Sequence, residues 1–432
     1  MKKIIAILLM FSLVLMTQTG IFASSYNNFS KKSEKEIREA LKEEKIKTYH
    51  IGNSDFDLIG KEDAKSVTKF INKLSSGDGI VIEAEYYNEF LQEDYFSLIN
   101  PKDKIISLFF VGNENIEDIL NHFGLSENFD DFSDIYMVSY ICIEEGCYPI
   151  VYLGDEYNEN LTENKILKEQ YLSIYNKEFY PEGKEKLKPG SVGAYDVTNN
   201  WTLDTNYWYI STDWYATDIS VTSSKGTHYG DYREWTQVLL IRDLAQNQKE
   251  YVAVNKKGHM IPDNPGSTND MRSYHLKPET DVDYGNPTFM LFDWMPTNNP
   301  TSSTFTISQG SAVSSDGSES SISVSYAVTI SDLEVDTDGT NSIEGIFSPD
   351  FHWEIATWNN RPYNEEETVN CWGYIVQLDG TYTTGSYKHW HDSTNVKFLR
   401  DLPFKNYYLN RDCDTIIGFY IPTRDSNGII ID

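Results

Sequence analysis

The sequence predicts an α/β domain with a mostly parallel sheet covered by helices, followed by a larger all-β, sandwich-like domain. Three observations carry this expectation. Helical and strand periodicities alternate between residues 48 and 176. A charged stretch with two prolines follows at 177–190 and reads as a linker. In the all-β part, 191–432, helical spacing vanishes, and all nine tryptophans fall between Trp201 and Trp390.

Met1-Lys2-Lys3 precedes an apolar run from Ile4 to Met16, then small and polar residues to Ser25. That order predicts a secretory signal peptide over 1–25. The run is about 13 residues long, short of the roughly 20 that a membrane-spanning helix needs. Export is therefore expected, ending in release or in retention at a surface by binding. Residues 31–47 are highly charged and predict a solvated helix or a loose lead-in.

Val67, Phe70, Ile71 and Leu74 stand at i, i+3, i+4, i+7, one face of a helix. Ile80–Ile82 and Ile105–Val111 are apolar runs beside glycines and predict strands. Ile116, Ile119, Leu120 and Phe123 repeat the helical spacing. Ile135–Ile143 and Tyr148–Leu153 predict two strands, and Leu167, Tyr171, Ile174 and Tyr175 a closing helix. Such an order implies a largely parallel sheet under helices. The turn Gly112-Asn113-Glu114-Asn115 lacks the glycine spacing that admits a pyrophosphate, so no nucleotide site is expected.

Cys142 and Cys147 flank Ile-Glu-Glu-Gly between two of these strands, where a disulfide would staple a hairpin. Cys371 and Cys413 would then pair in the second domain, although four cysteines allow three connectivities or none. The chain carries 66 acidic against 36 basic residues, a net charge of −30. Nucleic acid is excluded as a partner, because binding it requires a basic face. The acidity serves solubility or the binding of a divalent cation.

The stretch from Thr301 to Asp338 is the most informative. Ile322, Val324, Tyr326, Val328 and Ile330 alternate with serine and threonine, and Phe305, Ile307 and Val313 continue the pattern on the outgoing arm. The tip is polar, with Asp316 and Glu319. Between residues 301 and 360 there are nine acidic residues and no lysine or arginine. An apolar row toward lipid and a hydroxyl row toward water is what a closed transmembrane barrel requires. One hairpin cannot close a barrel, so several copies would each contribute one. The same alternation also fits a hairpin with one face on a sandwich core and one in water.

This Trp/Tyr-rich β body, interrupted by a Ser/Thr amphipathic hairpin, resembles the secreted β-barrel pore-forming cytolysins of leukocidin or aerolysin type. The similarity is one of pattern and covers about 190–432. It implies secretion as a soluble monomer, surface recognition by exposed aromatics and insertion as a homo-oligomer. Trp201, Trp208, Tyr209 and Trp214 are the candidate recognition surface for lipid or glycan, since such rings are apolar with one wet end. Filling the sandwich core is the alternative for the same rings.

Two weaker patterns concern metals, and no cofactor is otherwise expected. Glu334, Asp336 and Asp338 before Gly339 resemble the start of a calcium loop, but the twelfth position is Gly345 rather than a carboxylate. His389 and His391 share one face of a strand, and Asp392 or His352 would have to complete a site. No nucleophile elbow, His-Glu-x-x-His or phosphate loop occurs, so no catalytic residue is assigned. The leading expectation is a secreted, non-enzymatic protein that binds a cell surface or membrane and inserts the 304–331 hairpin. The alternatives are an adhesin or carbohydrate-binding protein without pore activity, and an extracellular hydrolase.

Overall fold

The computed structural model describes residues 32–92, 104–143, 146–154, 159–175, 179–181, 201–202, 208–241, 250–263, 271–282, 289–295, 304–313, 319–327, 333–336, 346–348, 350–353, 368–378, 384–402, 405–425 and 430–431. The expected signal peptide, 1–25, lies outside them, as does most of 177–190.

Among the described residues the helices are α1 (Glu34–Glu43), α2 (Tyr87–Gln92), α3 (Ile116–His122) and α4 (Glu159–Tyr175). The first strands are β1 (Thr48–Ile51), β2 (Lys61–Asp63), β3 (Gly79–Glu83), β4 (Ile106–Val111), β5 (Ile135–Ile143), β6 (Gly146–Leu153) and β7 (Trp201–Thr202). There follow β8 (Trp208–Thr222), β9 (His228–Ile241), β10 (Glu250–Pro262), β11 (Met271–Asp281), β12 (Phe289–Met295), β13 (Thr304–Val313) and β14 (Glu319–Ala327). The last are β15 (Leu333–Asp336), β16 (Ile346–Phe347), β17 (Asp350–Trp353), β18 (Thr368–Leu378), β19 (Tyr387–Leu402) and β20 (Lys405–Tyr420). The chain is thus mostly β-sheet.

The charged lead-in is a helix with one buried stripe. Ser33 Oγ accepts from the Glu36 amide at 3.3 Å, and Glu36 Oε2 accepts from the Ser33 amide at 2.7 Å, a reciprocal cap on α1. Ile37 and Leu41, four residues apart, are buried in the same apolar cluster as Ile166 and Leu167 of α4. The helix expected from Val67 to Leu74 is instead two 3-10 turns, Val67–Lys69 and Ile71–Lys73. Val67, Phe70 and Leu74 are still buried. The β-branched Val67, Thr68 and Ile71 weaken helix formation. Asp78 then draws the chain into a turn by accepting from the Ser75 and Lys47 amides at 2.8 and 2.9 Å.

Eleven strands form one sheet in the order β12-β18-β10-β9-β8-β6-β5-β4-β3-β1-β2. It differs from the expected mostly parallel sheet in two ways. Parallel pairing holds for β2·β1, β1·β3 and β3·β4, but β4·β5 and β5·β6 are antiparallel. A short connection between Ile143 and Gly146 allows only a hairpin, since a parallel return needs a long crossover. The expected split into separate sheets is also absent. Strand β6 pairs in parallel with β8, from Ile150 opposite Ala216 to Leu153 opposite Ile219, so the ladder crosses the proposed border. Phe179 and Tyr180, inside the expected linker, are each 1% exposed and belong to the apolar cluster that holds Tyr148, Trp214 and Trp235.

A second sheet runs β15-β17-β11-β19-β20, with β16 paired to β11. Val238, Leu240, Val252 and Val254 of the large sheet share one core with Leu276, Trp390, Val396 and Ile417 of the second. The opposite face of the large sheet is covered by α1, α4 and the 179–181 segment, while α2 and α3 cover the β3–β5 end of the face that carries the second sheet. A third sheet, β13-β14-β7, shares no ladder with either.

Cys142 and Cys147 form the expected disulfide. The expected Cys371–Cys413 bond is not formed. Cys413 is a free thiol buried in the core between the two large sheets, and the Cys371 side chain lies outside the described residues. The thiol is pushed well up by burial, with Glu234 nearby adding to the shift.

Candidate functional site

The hairpin expected at 304–331 is present as β13 and β14. Phe305 pairs with Tyr326, Ile307 with Val324 and Gln309 with Ile322. Directly paired residues occupy one face of a ladder, so the apolar positions of the two arms fall in one row. Thr304, Thr306 and Ser308 pair with Ala327, Ser325 and Ser323 in the other row. A register shift between Gln309 and Ala312 places Val313 opposite Glu319. One extra residue on an arm reverses its alternation, so Val313 joins the hydroxyl row and leaves that of Phe305. Val328 and Ile330 lie outside the described residues.

Trp201 sits on β7, in register with Val324 of the hairpin. Trp208 and Tyr209 belong to β8 of the large sheet, paired with Ile241 and Leu240. The four expected recognition aromatics are therefore divided between two sheets. Trp214 is buried in the core beneath α4 rather than displayed. The structure does not describe the side chains of Trp201, Trp208 and Tyr209.

Neither metal pattern is gathered into a site among the described residues. Glu334 and Asp336 lie on β15, paired with His352 and Asp350 of β17. An extended strand cannot wrap a cation as a calcium loop does, and Asp338 lies outside the described residues. The His389 and His391 rings are 6.4 Å apart on the outer face of β19. Asp392, one residue on, faces inward and is buried in an ion pair with Lys256. Among the described residues no cluster of three or more metal-ligating side chains occurs.

Sequence reasoning missed two ionic clusters buried on opposite faces of β9. On the α4 side, the Arg233 guanidinium donates to Asp218 Oδ2 at 2.9 Å and to both carboxylate oxygens of Glu169. Tyr180 donates to Glu169 at 3.1 Å. Lys165 and Lys168 hold Asp231 at 3.0 and 3.2 Å, and His228 Nε2 lies 3.0 Å from it. Burial alone would raise the Asp231 carboxyl, but these three cations outweigh it and hold the group well below the usual carboxylate range. Burial likewise opposes the charge on His228, yet Asp231 pushes the imidazole up to about 9.

On the other side, Lys256 bridges Glu234 of the large sheet and Asp392 of the second, the latter at 2.6 Å. Tyr232 and Thr394 donate to Glu234 at 2.7 and 2.6 Å, and Tyr374 to Asp392 at 3.2 Å. The sequence signal was Asp231-Tyr-Arg-Glu-Trp235, which puts charges on both faces of a Trp/Tyr-rich strand. His259 of β10 is fully buried, and among the described residues neither ring nitrogen has a hydrogen-bond partner. Burial, then the Lys257 and Arg233 charges, hold it well below the ordinary imidazole value.

No family model and no curated protein matches the sequence. Solved structures with local similarity include a pore forming protein, 11% identical, with TM-score 0.27 over 49% of this chain and 94% of that one. Clostridium perfringens delta-toxin is 12% identical, with TM-score 0.27 over 50% of this chain and 93% of its own. The membrane-inserted form of Clostridium perfringens NetB toxin is 9% identical, with TM-score 0.22 over 47% and 95%. The resemblance is weak and spans about half of this chain. Among the described residues no helix is long and apolar enough to cross a membrane, which says nothing of strands.

Proposed function

We propose that this is a secreted cell-surface-binding protein that inserts the 304–331 hairpin into membranes as part of an oligomeric β-pore. The observation that carries the reading is that the hairpin shares no ladder with either large sheet. Among the described residues it pairs only with the two-residue β7 and joins neither large sheet. A hairpin held in this way can leave without opening the ladders that enclose the main cores. Its arms are 10 and 9 residues long, close to the roughly 9–11 of a tilted membrane-crossing strand. The register keeps one row apolar over most of that length, as a lipid-facing surface requires.

Release of a trapped dye from liposomes tests the proposal. Ser323 and Thr202 are register partners, and the Cα spacing of such partners suits a disulfide. The oxidised S323C/T202C variant is expected to lose dye release and to regain it on reduction. A control on the unmodified protein with and without reductant accounts for Cys142–Cys147. A wild-type protein that never permeabilises liposomes or red cells, or a locked variant as active as its reduced form, overturns the proposal.

A further inference from the structure

A cleft of about 300 Å³ opens at the end of the second sheet, where β19 begins and β20 ends. Glu127 and Asn128, in the turn after α3, form one wall. Ser211 and Thr212 of β8 line another, and Tyr387 and Tyr420 form the rim. None of these positions figured among the sequence-derived candidates.

The two tyrosines are held in different ways. Tyr387 lies over Gly418, where any Cβ would collide with its ring. It also stacks with His389 at 5.4 Å between centroids, and its hydroxyl donates to the Glu127 carbonyl at 2.8 Å. Tyr387 is thus half-buried, with one stacked neighbour. Tyr420 donates its hydroxyl to Glu127 Oε1, but half of the residue remains exposed. Its ring stands 5.3 Å from that of Tyr387, inclined at 52°. Tyr420 is therefore a platform with a fixed tilt and an open face. Glu127 Oε2 has no partner among the described residues and remains as an acceptor.

We infer that this cleft takes a neutral hexose unit of a surface glycan. The C–H face of a pyranose seats on the electron-rich face of an aromatic ring. Its hydroxyls find a carboxylate acceptor in Glu127 and hydroxyl groups in Ser211 and Thr212. A volume near the lower bound for ligand pockets suits one or two sugar rings. A quaternary ammonium is disfavoured, because a cation cage gathers several exposed rings and among the lining aromatics only Tyr420 is exposed. Acidic sugars are repelled by Glu127, by Asp130 next to His391, and by the net charge of −30.

Ligand-observed NMR and calorimetry on the intact protein, without membranes, test this independently of any pore activity. The probes are lactose, N-acetylglucosamine and mannose, with sialyllactose as the acidic control. At least one neutral sugar is expected to bind with about millimolar affinity. Tyr420→Ala should weaken that binding by roughly tenfold, and Glu127→Gln should weaken it while the thermal transition stays unchanged. Sialyllactose should bind much less than lactose. Absence of neutral-sugar binding overturns the assignment, as does equal binding of sialyllactose, or a Tyr420→Ala variant that binds like the parent. Failure here leaves the hairpin reading standing, and loss of dye release leaves this one standing.

Discussion

Replacing Lys256 with methionine is expected to destabilise the protein by about 3–5 kcal/mol, the usual cost of stripping one partner from a buried ion pair. The ammonium is 0% exposed and separates the Glu234 and Asp392 carboxylates. Methionine matches its length but leaves two buried anions facing each other. Tyr232, Thr394 and Tyr374 would still donate to them, so part of the loss is softened. Because Glu234 and Asp392 belong to different sheets, the large sheet and the second sheet should loosen together. Urea unfolding monitored by tryptophan fluorescence measures the change, since Trp372 and Trp390 are buried in the core shared by the two sheets. The triple variant K256M/E234Q/D392N, with no buried charge left at this junction, should recover much of the loss. A single K256M cost below about 1 kcal/mol would mean that the lysine does not hold these sheets together.

Stability should also peak near pH 6.5 and fall on both sides, through two histidines acting in opposite senses. His228 has its pKa raised to about 9 by Asp231. Its contribution is complete below the unfolded value of about 6.5 and is lost as pH rises through about 9; a shift of this size is on the order of 3 kcal/mol. His259 is depressed by burial and by the Lys257 and Arg233 charges. The unfolded chain therefore takes up that proton first, and stability falls as pH drops below about 6.5. Asp231, also depressed, adds a further loss on the acid side as pH falls below the ordinary aspartate value. Thermal melts across pH 4–10 should show this dome. His228→Ala should flatten the alkaline limb, and His259→Leu the acid one. A wild-type profile that stays level from pH 7 to 9 would contradict the assignment for His228.

Where the sequence carries a local period, the fold was legible. Ile116, Ile119 and Leu120 mark α3, Ile135–Ile143 marks β5, and the alternation from Phe305 to Tyr326 marks the hairpin and most of its register. The bulge before Ala312 was not legible, because Gly310-Ser311 leaves the alternation unbroken in sequence while shifting it in space. Pairing of β6 with β8 was hidden for another reason. The partners are more than 60 residues apart, with a charged, proline-bearing segment between them that reads as a boundary. The buried ions were illegible because lysine, arginine and carboxylates are almost never fully buried unless paired, and the pairing partners come from α4, β8, β9, β10 and β19. Trp214 shows the reverse error: its aromatic neighbourhood reads as a display surface, but even position on β8 turns it toward α4 with Ala216 and Asp218. The rim of the cleft joins Glu127 to Tyr420, nearly 300 residues apart, and no local pattern links them.

The ladder between Ile150–Leu153 and Ala216–Ile219 gives the segment around 182–200 an unexpected status. Covalent continuity there is not what keeps the two halves together. Arg233 reaches back to Glu169, Tyr180 packs against Trp235, and Lys165 reaches forward to Asp218. A protease that nicked the chain between 182 and 200 would cut one thread of a seam sewn by many. The fragments would travel as a single particle, and a nick that proves silent in solution could still alter how freely the hairpin-bearing half rearranges at a surface.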